Sequence, residues 1–255
     1  MLLNIQNLEG YAISATDGLI GEVMDFYFDD DAWVVRYLVV KTRDDPERDV
    51  LISPISIGHP DHAGKVFPIS VTRSQVNSSP NIDTDRPVSR QQEMGYLGYY
   101  GYGNYWGGGG LWGAGMFPDI LQAGAGPGGR ADAANHLHDD PHLRSINDVM
   151  RYYVHATDGD IGHIVGFLVD EKSWAIRYVI VNTSNWWLGH QVIVSPEWVA
   201  NVNWAESTVS LDMTRQAIKD SPAYDHAAVL DRDYETAIHA HYGREGYWLP
   251  KARKR

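Results

Sequence analysis

Two stretches decide the fold: ATDGLIGEVMDFYFDDDAWVVRYLVVKT, from Ala15 to Thr42, and ATDGDIGHIVGFLVDEKSWAIRYVIVNT, from Ala156 to Thr183. Laid over each other without a gap, they share the Ala-Thr-Asp-Gly opening. Ile20 then falls on Ile161, Gly21 on Gly162, Phe26 on Phe167 and Asp29 on Asp170. Both finish on a W-x-x-R-Y run, with Trp33, Arg36 and Tyr37 over Trp174, Arg177 and Tyr178. Each stretch reads as β structure. Asp17-Gly18 and Asp158-Gly159 are hairpin-turn dipeptides, because glycine takes the positive φ of a tight turn. A run of β-branched and aromatic residues follows, then a polar turn (Asp29-Asp30-Asp31, or Asp170-Glu171-Lys172), then WVVRYLVV or WAIRYVIV. These last runs are apolar on both faces, as a strand covered from both sides must be.

Working outward, the correspondence resumes after a one-residue insertion at Ser53-Pro54 over Ser195-Pro196. It continues with Thr72-Arg73 over Thr214-Arg215, Ser79-Pro80 over Ser221-Pro222, Tyr100-Gly101 over Tyr242-Gly243, and Tyr105-Trp106 over Tyr247-Trp248. A repeated unit of about a hundred residues is large enough for a core of its own, so the chain reads as an internal duplication. VLIS and VIVS add further short strands, and the fold class expected is mainly β: two tandem small barrels. Past each barrel the period turns helical. Thr72 and Gln75 form a capping box, whereas Thr214 faces Ala217 and lacks the reciprocal partner. Longer helices open at Ser89 and Asp231 and stop at Gly101 and Gly243.

The expected organisation is a first barrel (residues 1–80), a helical appendage (81–106), a glycine- and alanine-rich linker (107–143), a second barrel (144–222), a second appendage (223–248) and a basic tail (249–255). In the linker, Leu111, Trp112, Met116, Phe117, Ile120 and Leu121 supply apolar surface, so part of it is expected to pack along the barrels. The formal net charge of −12 is wrong for a nucleic-acid binder, which needs a basic face. There is no cysteine for a disulfide, a thiol nucleophile or a thiolate metal site. With no transmembrane run and no signal-peptide pattern, a cytoplasmic protein is expected, with membrane association unlikely on this reading.

The DG turn, the IG dipeptide, the acidic turn, W-x-x-R-Y and the closing S-P together resemble the PRC-barrel domain. That small barrel occurs in the photosynthetic reaction-centre H subunit and in a ribosome maturation factor. The resemblance covers about residues 8–80 and 145–222, and GYLGYYGY, HLRS and HYGR around it look like tandem PRC-barrel proteins of bacteria. It implies the barrel fold. By analogy alone it also implies an association with photosynthetic electron transfer.

Among the residues that bear chemistry, Arg36 and Arg177 come first. Strand alternation puts Arg36 on the face of Val34, Leu38 and Val40, so its stem is expected to be buried. A buried guanidinium needs acceptors, and the repeated acids Asp17, Asp158, Asp29 and Asp170 are the candidates for structural ion pairs. The histidines His136, His138 and His142, with Asp139 and Asp140, are the metal candidates, against a plain turn reading of Asp-Asp-Pro. Asp29-Asp30-Asp31 lacks the spacing of a calcium loop and reads as a turn. Adjacent Trp186 and Trp187 occupy a loop whose counterpart, residues 43–49, is RDDPERD, and they are the candidate partner surface. No nucleophile elbow, zinc-protease helix or phosphate loop is present in the sequence. The expectation is therefore a non-enzymatic interaction or scaffold module without a cofactor, partnered by another protein or by itself as a homodimer. A metal- or small-ligand-binding sensor is the alternative.

Overall fold

The computed structural model describes residues 1–43, 48–80, 90–122, 142–183, 190–226 and 230–249. The first half of the chain forms β1 (Leu2–Asn4), β2 (Ala12–Ala15), β3 (Gly18–Asp29), β4 (Val34–Thr42), β5 (Asp49–Ile52) and β6 (Val66–Pro68). Helices α1 (Arg73–Asn77) and α2 (Arg90–Tyr100) follow. After β7 (Leu143–Ser145) and α3 (Ile146–Val149), the second half repeats the plan with β8 (Tyr153–Ala156), β9 (Gly159–Asp170), β10 (Ile176–Asn182) and β11 (Gln191–Val194). It ends with β12 (Val199–Asn203), β13 (Thr208–Leu211), α4 (Arg215–Lys219) and α5 (Arg232–His241). The protein is mainly β. Among the described residues, no helix is long and apolar enough to cross a membrane.

Two sheets carry the same order. One runs β5-β4-β3-β2-β6, the other β11-β10-β9-β8-β13-β12. In both, β2 or β8 pairs antiparallel with the long strand after it and parallel with β6 or β13. Among the described residues, neither sheet is closed by a ladder joining its two ends. The cause is local. β5 and β11 each stop at a Ser-Pro pair, whose serine caps a 3-10 turn (Pro54–Ser56 or Pro196–Trp198). In the second sheet that turn leads straight into β12, so the two ends of the path are chain neighbours. In the first, the chain between the turn and β6 forms no strand and makes isolated bridges instead, Ile57 with Ile69 and Asp61 with Val66.

Local chemistry accounts for the elements. Gly18 and Gly159 enter their strands at φ 141°, a conformation side chains resist. Asp17 and Asp158 cap the next helix instead of pairing with an arginine: each accepts the backbone N–H of Arg73 or Arg215 at 2.7 Å. The capping box of Thr72 and Gln75 forms, and Thr214 caps Ala217 alone. α5 starts from Asp231 and ends before Gly243 at φ 62°; α2 ends before Gly101 at φ 71°. Ser89 lies outside the described residues. β4 is buried on both faces, with Tyr96 of α2 edge-on to Tyr37 and donating its hydroxyl to the Leu51 carbonyl at 2.8 Å.

The compact units interleave the two repeats. One contains Asn4–Val149 and Val169–Ile176; the other contains Met1–Leu3, Met150–Leu168 and Arg177–Arg255. β1 pairs with β9, and its sequence counterpart β7 pairs with β3. Within the first-named unit, equivalent residues of the two repeats meet: Val34 bridges Ala175, Val35 N–H donates to Trp174 O, and Ile176 N–H to Trp33 O. Trp33 and Trp174 both sit at positive φ, 54° and 59°, which is strained for a bulky side chain.

At Gly162 an added Cβ would collide with the Asn182 carbonyl oxygen, and at Gly21 with that of Lys41. Gly162→Ala is therefore expected to cost about 3 kcal/mol or more, since backbone cannot yield as a side-chain tip can. Gly98→Ala, in open space on α2, should instead stabilise by roughly 0.5–1 kcal/mol. Denaturant unfolding of both variants checks this; equal midpoints would refute it.

Candidate functional site

The repeated arginine is where the sheet and its appendage are joined. Along β3 and β4, Tyr27 faces Tyr37 and Phe28 faces Val35, so Arg36 is the extra residue of a β-bulge. A bulge re-aims side chains, so the simple alternation that put Arg36 with Val34 and Leu38 does not hold. Arg36 lies instead among residues that follow α2. Its guanidinium sits 3.8 Å from the Tyr105 ring centroid and 4.7 Å from that of Trp112, and donates to the Leu111 carbonyl at 2.7 Å. Asp29 meets it at 3.3 Å, both side chains being nearly inaccessible. Trp112, fully buried, donates its indole N–H to Ser173 O at 2.8 Å.

Behind this pair lies a buried acid that sequence reasoning missed. Glu93 of α2, at 0% exposure, accepts the Tyr105 hydroxyl at 2.6 Å and faces His142 Nε2 at 2.8 Å. Burial, with this carboxylate next in weight, pushes the Tyr37 hydroxyl well above its usual range. Glu235 of α5, the repeat counterpart of Glu93, accepts the Tyr178 hydroxyl at 3.1 Å. Arg177 stacks on Tyr247 at 4.0 Å, as Arg36 does on Tyr105. Here Arg232 adds a second cation over Trp248, at 4.1 Å, and His239 Nε2 approaches the Tyr178 hydroxyl at 3.1 Å. The available signal was that Glu93 and Glu235 match across the repeat and are followed by the matched Tyr-Trp pairs.

The remaining expected residues are placed as follows. Asp29 also accepts from the N–H groups of Asp31 and Ala32, and Arg144 binds Asp30 at 2.8 Å. The acidic triplet thus closes a turn. Asp170 accepts from the Ser173 N–H and hydroxyl. His142 is committed to Glu93, while His136, His138, Trp186 and Trp187 lie outside the described residues.

An open groove of about 420 Å³ lies in the unit containing Asn4–Val149. It is lined by Pro54, Ile55 and Ile57 at the Ser-Pro turn, by Phe117 and Pro118 at the start of a 3-10 turn (Pro118–Leu121), and by Glu171, Lys172 and Trp174 of the hairpin tip. Met116, Phe117 and Ile120 are large apolar side chains left 49%, 48% and 51% exposed. Glu171 Oε1 is held by His62 Nε2 at 2.8 Å, and His62 Nδ1 faces the Tyr11 hydroxyl at 3.3 Å. No protein-family model and no curated protein matches the chain.

Two predictions follow from the buried networks. Arg36→Met should destabilise the fold by about 3–5 kcal/mol, because it strands the Asp29 carboxylate out of water. Arg43→Met, breaking an exposed pair with Glu22, should cost no more than about 1 kcal/mol. Chemical denaturation reads both, and parity between them would remove the structural role given to Arg36.

The pH profile should be bounded on both sides. Burial pushes the Tyr100, Tyr242 and Tyr247 hydroxyls up to about 12. The unfolded chain loses these protons near pH 10, so their contribution is complete below about 10 and is lost as the pH climbs toward 12. Burial holds the His239 imidazole below its usual 6.5. The unfolded chain therefore protonates first, and stability falls as the pH drops below about 6.5. Melting curves should show both flanks, with a shallower acidic one in His239→Gln.

Proposed function

We propose that this chain is a non-enzymatic protein-interaction module built from two PRC-type barrels, whose groove beside the Ser53-Pro54 turn receives a partner. The observation that carries the reading is the exposed apolar strip Met116, Phe117 and Ile120 beside that groove. Large apolar side chains left exposed together, one of them lining a groove, are the ordinary mark of a binding face. The acid–base groups elsewhere favour a scaffold. Glu93 and Glu235 are sealed from solvent and engaged by tyrosine hydroxyls, out of a substrate's reach. The barrel part of the proposal is supported by the common strand order and by the single short turn that separates the two ends of the second path.

The test is native mass spectrometry of the untagged protein purified from its own host, beside a Phe117→Ser/Ile120→Ser variant. Both side chains are half exposed, so the variant should melt within about 0.5 kcal/mol of the parent. The expected result is a stoichiometric protein companion in the parent sample that is missing from the variant. A chain that travels alone, or with only a metal or small molecule, in both forms would overturn the reading.

A further inference from the structure

We propose that the groove selects a basic, apolar-flanked segment of a partner protein, placing an arginine or lysine side chain beside Phe117. The inference rests on the interaction-module reading and specifies its ligand chemistry. Its first support is the aromatic lining. Phe117, half exposed, lines the groove together with the nearly buried Trp174, and an aromatic ring attracts a cation desolvated near it. The second is the rim. Asp119 and Glu171 bring two carboxylates to the groove, and the His62 contact at 2.8 Å fixes the direction of the Glu171 carboxylate. Lys172 and His59 also line it, so the carboxylates there number two against one lysine. The third is the charge of the whole chain, −12, which steers cationic partners toward any of its surfaces and repels acidic ones.

An open groove with an apolar strip along one lip suits an extended segment better than a free ammonium ion. A cationic side chain would enter beside the Phe117 ring, and its apolar neighbours would lie on Met116 and Ile120. The hydrocarbon stem of arginine or lysine would lie along the apolar lining, with its head toward the carboxylates.

The experiment is titration calorimetry of the full chain with three short synthetic peptides: alternating leucine and arginine, alternating leucine and glutamate, and alternating serine and arginine. The leucine–arginine peptide should bind best, and binding should weaken as salt rises to about 0.5 M. Asp119→Asn should weaken it about tenfold, whereas Lys172→Glu should tighten it by a similar factor. Both residues are exposed, so neither variant threatens the fold. Phe117→Ser should abolish binding. Preference for the leucine–glutamate peptide, parity of the serine–arginine peptide, indifference to the Asp119 and Lys172 variants, or no binding by any peptide would each overturn the inference. If the leucine–glutamate peptide binds and Phe117→Ser abolishes it, the cation preference falls while the interaction reading stands. If no peptide binds and the native protein also carries no companion, both fall.

Discussion

A guanidinium held out of water is the constraint on which the rest of the first repeat depends. Removing Arg36 from solvent costs several kcal/mol unless acceptors and polarisable surface surround it. No single element supplies all of these. Asp29 comes from the end of β3, the Leu111 carbonyl and the Trp112 ring from the glycine-rich stretch, and the Tyr105 ring from the chain after α2. The appendage is therefore bound by electrostatics as well as by apolar contact. Glu93 extends the same network through Tyr105 to His142, where the chain re-enters the described structure before β7. The second repeat meets the same problem with a different set of groups. Arg177 again lies on a tyrosine, but a second arginine and a histidine stand where the first repeat uses Trp112 and His142.

The repeats also differ at the place where the groove opens. After Ser53-Pro54 come Ile55 and Ser56; after Ser195-Pro196 come Glu197 and Trp198. Trp198 is buried against the rings of His239 and Tyr242, at 5.0 and 4.8 Å. A bulky ring thus occupies the second turn where the first has a serine. Two copies of one plan present different surfaces there: Pro54 and Ile55 line the groove of the first, whereas Trp198 lines a pocket of about 300 Å³ with Glu197, Arg244 and Leu249 in the second.

Much of the local structure is legible in the sequence. The Asp-Gly turns, the Thr72 cap, the glycine stops and the doubly covered strand follow from φ preferences, hydrogen-bond reach and apolar patterning, all decided within a few residues. Arg36 shows where such reasoning ends. Its burial follows from the pattern, but its direction depends on a bulge in the β3–β4 ladder, which alternation cannot register. Asp17 and Asp158 were plausible counterions by charge, yet the nearby helix N-terminus offered a closer donor. Glu93 left a trace in its match with Glu235 across the repeat, but its meeting with His142 did not. The groove escaped for a similar reason: it is assembled from segments far apart in the chain, and no local spacing encodes their meeting.

The exchange of β1 and β7 between the sheets bears on the order in which the protein can form. β7 leaves the ribosome after β3 is complete and can add to a strand already waiting. β1 is made long before β9, so its backbone groups must stay with water or a temporary partner through most of synthesis. Closing so long a loop adds only slowly to the entropic cost, but it delays the search. The sheet that receives β1 is thus joined to the far end of the chain: that pairing cannot form until the second repeat has been made, whereas the pairing of β7 with β3 can form as soon as β7 appears.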